Sequence, residues 1–434
     1  MNKSIVLLVF GLLVATASAQ ERLTLSEAIR IGLENNYAIR IAKNDMRLAA
    51  NNTRAGNAGM LPQVNATFTN SGATNNVHQD LITGASNDIK GAVSSALTAG
   101  IALNWTIFDG FAMFTNYDRL KEIQAIGEVQ YRRTVENSVA QIITQYYDII
   151  SQRETLASLQ EAVEVSKKRL DITRSRLELG AGSEQKVLQA TIDYNEDRAA
   201  FLRQKAVLER SAITLNQLLA RTTNPDFTAA DSLMLRPQLL QESIRSTALT
   251  SNTSLTLAQK NKSIAELDLS VLNAQWYPQI SVTSGFNFQR TTSQTGLVLS
   301  GTSLGVNYGI TASINLFEGW NLQRRIENAK IGISTAEETI SLTKTQVESD
   351  IARAYRGYRA AVELVELETQ NRVLTKQNIS ISLERYALGA MNELEIRQAQ
   401  KSMTDAETRT IRALFDAKIL ETELLRLSGT LITP

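Results

Sequence analysis

The chain has 434 residues, with 45 basic and 44 acidic side chains. That balance excludes the basic surface a nucleic-acid partner needs. Cysteine is absent, which removes disulfides, thiolate metal sites, a thiol nucleophile and a lipid-modified N-terminal cysteine.

Residues 1–19 read as a cleaved secretory signal. Lys3 is the charged region, Ile5 to Val14 the apolar core, and Ala17-Ser18-Ala19 the small-residue cleavage site. A membrane-spanning helix needs about 20 apolar residues, and no other run approaches that. A mature chain that crosses a membrane must therefore do so with strands.

Residues 20–221 form a first structural repeat. Leu23-Thr24-Leu25-Ser26-Glu27-Ala28 starts a helix, with Thr24 and Glu27 at capping-box spacing. The helical pattern runs to about Met60, with a break near Asn35-Asn36. A β-hairpin over about 62–108 follows. Val64, Ala66 and Phe68 alternate with Asn65, Thr67 and Thr69; after a bend, Ile101, Leu103, Trp105 and Ile107 alternate with Ala102, Asn104 and Thr106. The bend, about 71–92, is rich in Asn, Asp and Gly, holds the only histidine, His78, and reads as an external loop. Residues 111–179 contain no proline, and Val135, Val139, Ile142, Ile143, Tyr146, Ile149 and Ile150 recur at helical spacing. At 1.5 Å per residue this predicts a helix of about 100 Å, too long for a single-domain core and suited to a wall or stalk. Gly180-Ala181-Gly182-Ser183 breaks it, and a return helix runs over 184–220.

Residues 222–237, with Pro225 and Pro237, read as an irregular crossover. Residues 238–434 then repeat the plan, and Glu242-Ser243-Ile244-Arg245 echoes Glu27-Ala28-Ile29-Arg30. The second hairpin spans about 278–317. Ile280, Val282, Phe286 and Phe288 oppose Ser281, Thr283, Asn287 and Gln289; Val306 to Leu316 alternates in the same way. A long helix over 320–388, a break at Gly389-Ala390-Met391-Asn392 and a return helix over 393–428 complete the copy. Phe108-Asp109-Gly110-Phe111 and Phe317-Glu318-Gly319-Trp320 close the two hairpins at corresponding positions.

The polar faces of the hairpins carry no charge, and each run has about the 9–11 residues of a tilted membrane strand. Trp105, Trp276 and Trp320 stand at strand–helix junctions with Tyr277, Phe108 and Phe317. This suits a membrane-interface belt and equally suits packing where helices meet a sheet. Four strands cannot close a barrel, and an open edge is not tolerated in lipid. Several copies must therefore share one barrel; a dimer or a trimer satisfies the count. The fold class is mainly α with membrane β: antiparallel helical hairpins continuous with a β-barrel, built on an internal duplication.

No catalytic set can be built around His78. No phosphate-binding glycine motif follows a strand, since Gly180-Ala181-Gly182 follows a helix. The chain is expected to be no enzyme and to need neither cofactor nor metal.

The sequence resembles the TolC family of outer membrane efflux proteins over residues 22–428. The resemblance is carried by Leu23-Thr24-Leu25-Ser26-Glu27-Ala28, by Leu61-Pro62-Gln63 repeated as Tyr277-Pro278-Gln279, by Leu179-Gly180 with Ala190, and by Tyr386-Ala387-Leu388-Gly389 with Gln398-Ala399-Gln400. It implies a homotrimer with a 12-strand barrel in the outer membrane and a long periplasmic portion. It also implies a periplasmic adaptor and an inner-membrane pump as partners, with outer-membrane lipid around the barrel. The function implied is the exit duct of a tripartite efflux system. An outlet for type I protein secretion is the alternative, and a non-conducting trimeric stalk a weaker one. In the family the turns matching Gly180 and Gly389, with Leu179 and Leu388, meet the adaptor; helix C-capping alone also explains both glycines. Acidic residues of the return helix narrow the tip in family members. Glu395 matches the first such position in charge, Gln398 does not match the second, and the first-copy counterpart is Lys186. Glu395 also has capping-box spacing from Asn392.

Overall fold

The computed structural model describes residues 21–222, 227–235, 239–295 and 298–432. The signal segment, Pro225, Pro237 and Pro434 lie outside these residues. In chain order the elements are β1 (Glu21–Leu23), α1 (Leu25–Asn35), α2 (Tyr37–Asn52), β2 (Gln63–Asp80), β3 (Ser86–Asp109), α3 (Ala112–Glu178) and α4 (Glu184–Leu218). Then come β4 (Phe227–Ala229), α5 (Gln241–Ser251), α6 (Thr253–Ala274), β5 (Gln279–Ser293), β6 (Ser300–Ser313), α7 (Asn321–Ala387) and α8 (Glu393–Leu427). The long helices α3 and α7 have 67 residues each, and the return helices α4 and α8 have 35 each.

The chain forms two compact units. One comprises residues up to Arg40, Val135–Ser246 and the chain from Asp350 onward; the other comprises Ile41–Thr134 and Thr247–Ser349. In the first unit the apolar positions of α3 face inward: Val139, Ile142, Tyr146 and Ile150 are buried with Leu215 and Leu219 at the end of α4. Thr24 caps α1 by accepting from the Glu27 amide at 3.3 Å. Asn36 breaks α1 from α2 by accepting from the amides of Ala38 and Ile39 at 2.9 and 3.2 Å. Asn252 does the same between α5 and α6, accepting from Ser254 and Leu255. A side chain that satisfies the free N–H groups of a new helix lets the chain bend there without loss.

The described part of the crossover, residues 227–235, is more ordered than its composition suggests. Phe227–Ala229 pairs in parallel with Glu21–Leu23, so Leu23 belongs to a strand and the helix begins two residues later. The Tyr146 hydroxyl lies 2.9 Å from the Leu23 carbonyl and 2.6 Å from the Asp231 carboxylate. Asp231 also accepts from the Leu25 amide at 2.8 Å. Burial first, and then this carboxylate, push the Tyr146 phenol above its usual range. Arg153 and Lys418 donate to the carbonyls of Ala229 and Met234. These long-range partners have no short-range signature, which is why 222–237 read as irregular.

The second unit holds a four-stranded antiparallel sheet in the order β2-β3-β5-β6. Its register aligns Val64, Leu103, Ser284 and Tyr308 in one row, Ala66, Ile101, Phe286 and Val306 in the next, and Phe68, Ala99, Phe288 and Leu304 in a third. One face is thus predominantly apolar across all four strands.

Three expected boundaries move. The helical pattern ends at Asn52 rather than near Met60; Thr53 there turns its hydroxyl to the carbonyls of Ala49 and Leu120, the competition that short polar side chains offer to helix. The expected external loop over 71–92 is mostly ladder. β2 runs to Asp80 and β3 starts at Ser86, with one irregularity between Asn75 and Val77. Backbone pairing alone sustains this extension, so it needs no apolar alternation to form. The last strand stops at Ser313, opposite Gln279, and not near Leu316. Pro278 precedes Gln279 and has no N–H to continue the ladder.

Candidate functional site

Two places were singled out: the helical turns of the first unit, and the sheet with its junctions in the second. At the end of α3, Gly180 has φ +74°, the Gly180 amide donates to the Leu177 carbonyl at 3.0 Å, and the Ala181 amide donates to the Arg176 carbonyl at 2.8 Å. At the end of α7, Gly389 has φ +81°, the Gly389 amide donates to Tyr386 at 3.1 Å, and the Ala390 amide donates to Arg385 at 2.9 Å. Both are Schellman endings, where a left-handed glycine lets the last carbonyls find donors. Capping is therefore a real duty of each glycine. It does not account for the leucines before them: Leu179 is 82% exposed and Leu388 is 84% exposed.

The return helices start differently. Ser183 makes no side-chain cap, whereas Asn392 and Glu395 form a complete capping box. The Glu395 amide donates to Asn392 at 2.9 Å, and the Asn392 amide donates to the Glu395 carboxylate at 3.0 Å. Glu395 and Lys186 line one cleft with Arg176 and Gly389. Gln398 is exposed and donates to the Ser402 hydroxyl at 3.3 Å.

Beneath the turns lies a charged cluster that sequence reasoning missed. Arg169 is 0% exposed. It donates to Asp193 on α4, and its Nε stands 3.4 Å from Glu393 on α8. Glu393 accepts from the Tyr386 hydroxyl, which lies 2.8 Å from the Thr173 hydroxyl on α3. Arg176 lies over the Tyr386 ring, 4.6 Å from its centroid, and donates to its carbonyl. Burial, and next the bond to Glu393, raise the Tyr386 phenol above its normal range. Arg397 on α8 reaches Asp197 at 2.9 Å and Glu196 at 3.0 Å, and Gln400 donates to Asp197 and to the Ala162 carbonyl at 2.8 and 3.0 Å. Val165, Ile379, Ile396, Ala399 and Met403 form the apolar core around Tyr386. The two helical hairpins are thereby clasped together just behind their turns. Of the three consecutive basic residues Lys167, Lys168 and Arg169, only the third turns inward, and nothing in the run itself marks it.

In the second unit the sheet's other face is polar, and its central rows are uncharged. Rows of Gln63, Asn104, Thr283 and Gly309, then Asn65, Ala102, Gly285 and Asn307, then Thr67, Gly100, Asn287 and Gly305 lie across it. Asn287 donates to Asn307 at 3.0 Å. A Cβ at Gly100 would stand 2.2 Å from the Asn287 amide oxygen, and one at Gly285 would stand 2.8 Å from that of Asn307. The glycines make room for this asparagine pair.

At the junctions the Trp105 indole donates to the Met60 carbonyl at 3.0 Å. Phe108 stands edge-on to Phe111 at 5.4 Å, and Phe317 edge-on to Trp320 at 6.0 Å. Trp276 and Tyr277 are about half exposed. Among the described residues no helix is long and apolar enough to cross a membrane, and no group of three or more His, Asp or Glu could hold a metal ion.

The chain as a whole resembles known proteins. The chain is 20% identical to outer membrane efflux protein BepC of Brucella suis, over 96% of this chain and 87% of that one. It is 19% identical to outer membrane protein TolC of Vibrio cholerae, over 99% and 96% of the two chains. The Campylobacter jejuni CmeC outer membrane channel superposes with a TM-score of 0.78 at 16% identity, covering 94% of this chain and 86% of that one. Residues 28–221 and 244–430 match the outer membrane efflux protein family, and the chain belongs to that family.

Proposed function

We propose that three copies of this chain close a single 12-strand barrel continuous with a helical tunnel. The protein is an outer-membrane efflux channel, and this assembly would make it the exit duct of a tripartite system, fed by a periplasmic adaptor and an inner-membrane pump. The observation that carries the reading is the open sheet. β2 and β6 are edge strands with one neighbour each, one face is predominantly apolar and exposed, and the other is polar with uncharged central rows. Lipid satisfies no backbone N–H or C=O groups, so both edges must meet further strands. The polar face then lines a water-filled lumen. A duct of this kind binds and conducts; it performs no bond chemistry.

The turns at Gly180 and Gly389, with Leu179 and Leu388, are the surface offered to the adaptor. Two bare leucines next to rigid helix endings suit a docking contact better than a solvated end. Glu395, with Lys186 beside the same cleft and Gln398 one turn further, would surround the axis at this end. The test is substitution by isoleucine at Gly180 and at Gly389. Nothing stands within 4 Å of a Cβ at Gly180, and only an Arg176 nitrogen, at 3.8 Å, near one at Gly389. The new Cβ therefore meets no clash, and left-handed backbone crowding costs about 1–2 kcal/mol, more for a β-branched side chain. Trimer levels in the outer membrane should stay normal while export falls. Normal trimers with full export would show that the turns do not dock a partner.

A further inference from the structure

The body of the four-stranded sheet holds a single charge. From the row of Phe108, Ile280 and Ala312 to the row of Gly72, Ser95, Thr292 and Ser300, Arg290 is the one charged side chain among the described residues. It does not stand on the polar face. Side chains alternate along a strand, and Arg290 lies two residues beyond Phe288, so it continues the apolar face. Its row is Asn70, Leu97, Arg290 and Thr302. The rows of that face from Ile280 to Phe288 are predominantly apolar, and none carries a charge.

The charge stands at one edge of the apolar rows. From Ile280 to Arg290, at about 3.4 Å per residue and a tilt of about 40–45°, the sheet rises about 25 Å, the height of the apolar band of a membrane barrel. Arg290 therefore marks the end of the band away from the strand-to-helix elbows at Gly110 and Gly319. A charge on a lipid-facing position costs most at mid-bilayer and little at this level. Arg290 is exposed, and no carboxylate among the described residues pairs with it. Its neighbours on the face are hydroxyls and an amide. Thr302 stands opposite, Asn70 lies in the same row, and the next row brings Ser95, Thr292 and Ser300. The Ser95 and Thr292 hydroxyls lie 2.6 Å apart. A planar fork of N–H donors beside hydroxyls matches the oxygens of a phosphate.

We infer that Arg290 binds the phosphate of an anionic lipid headgroup in the leaflet farther from the helices. The inference rests on the reading that the apolar face meets lipid. Charge complementarity selects the occupant. A cation on the polar face would meet water and solute, whereas a lone cation on this face at headgroup depth meets lipid phosphate. Arginine suits the task better than lysine, because its fork holds two phosphate oxygens at once.

The experiment uses the assembled full chain in detergent, with bound lipid counted by native mass spectrometry and ion conductance read in planar bilayers. The probes are lipid A carrying its phosphates, lipid A stripped of them, and inorganic phosphate. Wild type should bind phosphorylated lipid A about tenfold more tightly than the stripped form, the fold-change of one charge-assisted contact. Arg290→Gln should lose most of that preference, and Arg290→Lys should keep part of it. Both variants should conduct with wild-type ion selectivity, because the side chain faces away from the lumen. An Arg290→Gln protein that keeps the preference would overturn the inference. So would a shift in its ion selectivity, which would put Arg290 in the lumen. If Arg290→Gln does not assemble, Arg290→Lys decides: full wild-type preference there would overturn the phosphate fork. Inorganic phosphate that displaces the lipid at equal concentration would overturn the lipid assignment and leave a plain anion site. Conducting wild-type protein with no preference would overturn the inference and leave the channel standing. Preference without conductance would support the inference and count against the channel.

Discussion

An Arg169→Met protein is expected to lose about 3–5 kcal/mol of stability in its helical tip, the cost of removing one partner of a buried charge set. Arg169 is fully buried and faces Asp193 and Glu393. Methionine fills the space but leaves Glu393 without its counter-charge and Asp193 with only the Arg397 guanidinium, whose Nε is 3.9 Å away. The same change at an exposed pair, such as Arg359 with Glu363, should cost about 0–1 kcal/mol. Denaturant unfolding of the detergent-solubilised protein, followed by limited proteolysis at the turns, reads the loss and its location. Adding Asp193→Asn and Glu393→Gln to Arg169→Met should recover much of it, since neutral groups tolerate burial far better. An Arg169→Met protein as stable as the exposed-pair variant would mean that water reaches the cluster and that it clasps nothing.

Gly110→Ala is expected to destabilise far more than Gly319→Ala, although the two glycines hold the same place in the two repeats. Both have positive φ, so each alanine bears about 1–2 kcal/mol of left-handed crowding. At Gly110 the new Cβ would also stand 2.4 Å from the Ala274 carbonyl oxygen and 2.9 Å from Tyr277 Cβ; at Gly319 nothing lies within 4 Å. A forced shift of packed backbone adds roughly 1–3 kcal/mol. The Gly110 variant should give a markedly lower yield of assembled barrel on heat-modified electrophoresis, and the Gly319 variant close to the wild-type yield. Equal yields would show that α6 does not press on the first elbow as described.

The long helices and the hairpin strands were legible because their signals are periodic and local. Val139, Ile142 and Tyr146 mark the inner face of α3 at helical spacing, and the alternation in 63–69 and 279–289 marks the strands and their faces. Capping was legible for the same reason: Thr24 to Glu27 and Asn392 to Glu395 are bonds across three residues. What stayed hidden is held by distant partners. The strand Phe227–Ala229 exists because Glu21–Leu23 lies beside it and Tyr146, Arg153 and Lys418 hold the strap. Arg169 gives no sequence sign of its burial, because its partners are 24 and more than 200 residues away. The left-handed backbone of Phe111 and Trp320, at φ +70° and +63°, was also unreadable, since local preference argues against it.

The mass of the protein in detergent tests the central claim most directly. If three chains close one duct, light scattering with the detergent contribution subtracted will give a single species of three chains, about 140 kDa of protein from the 47.8 kDa chain before signal removal. The same fraction will conduct ions in a planar bilayer. A monodisperse species of one chain would contradict the account, because one open four-stranded sheet cannot stand in lipid.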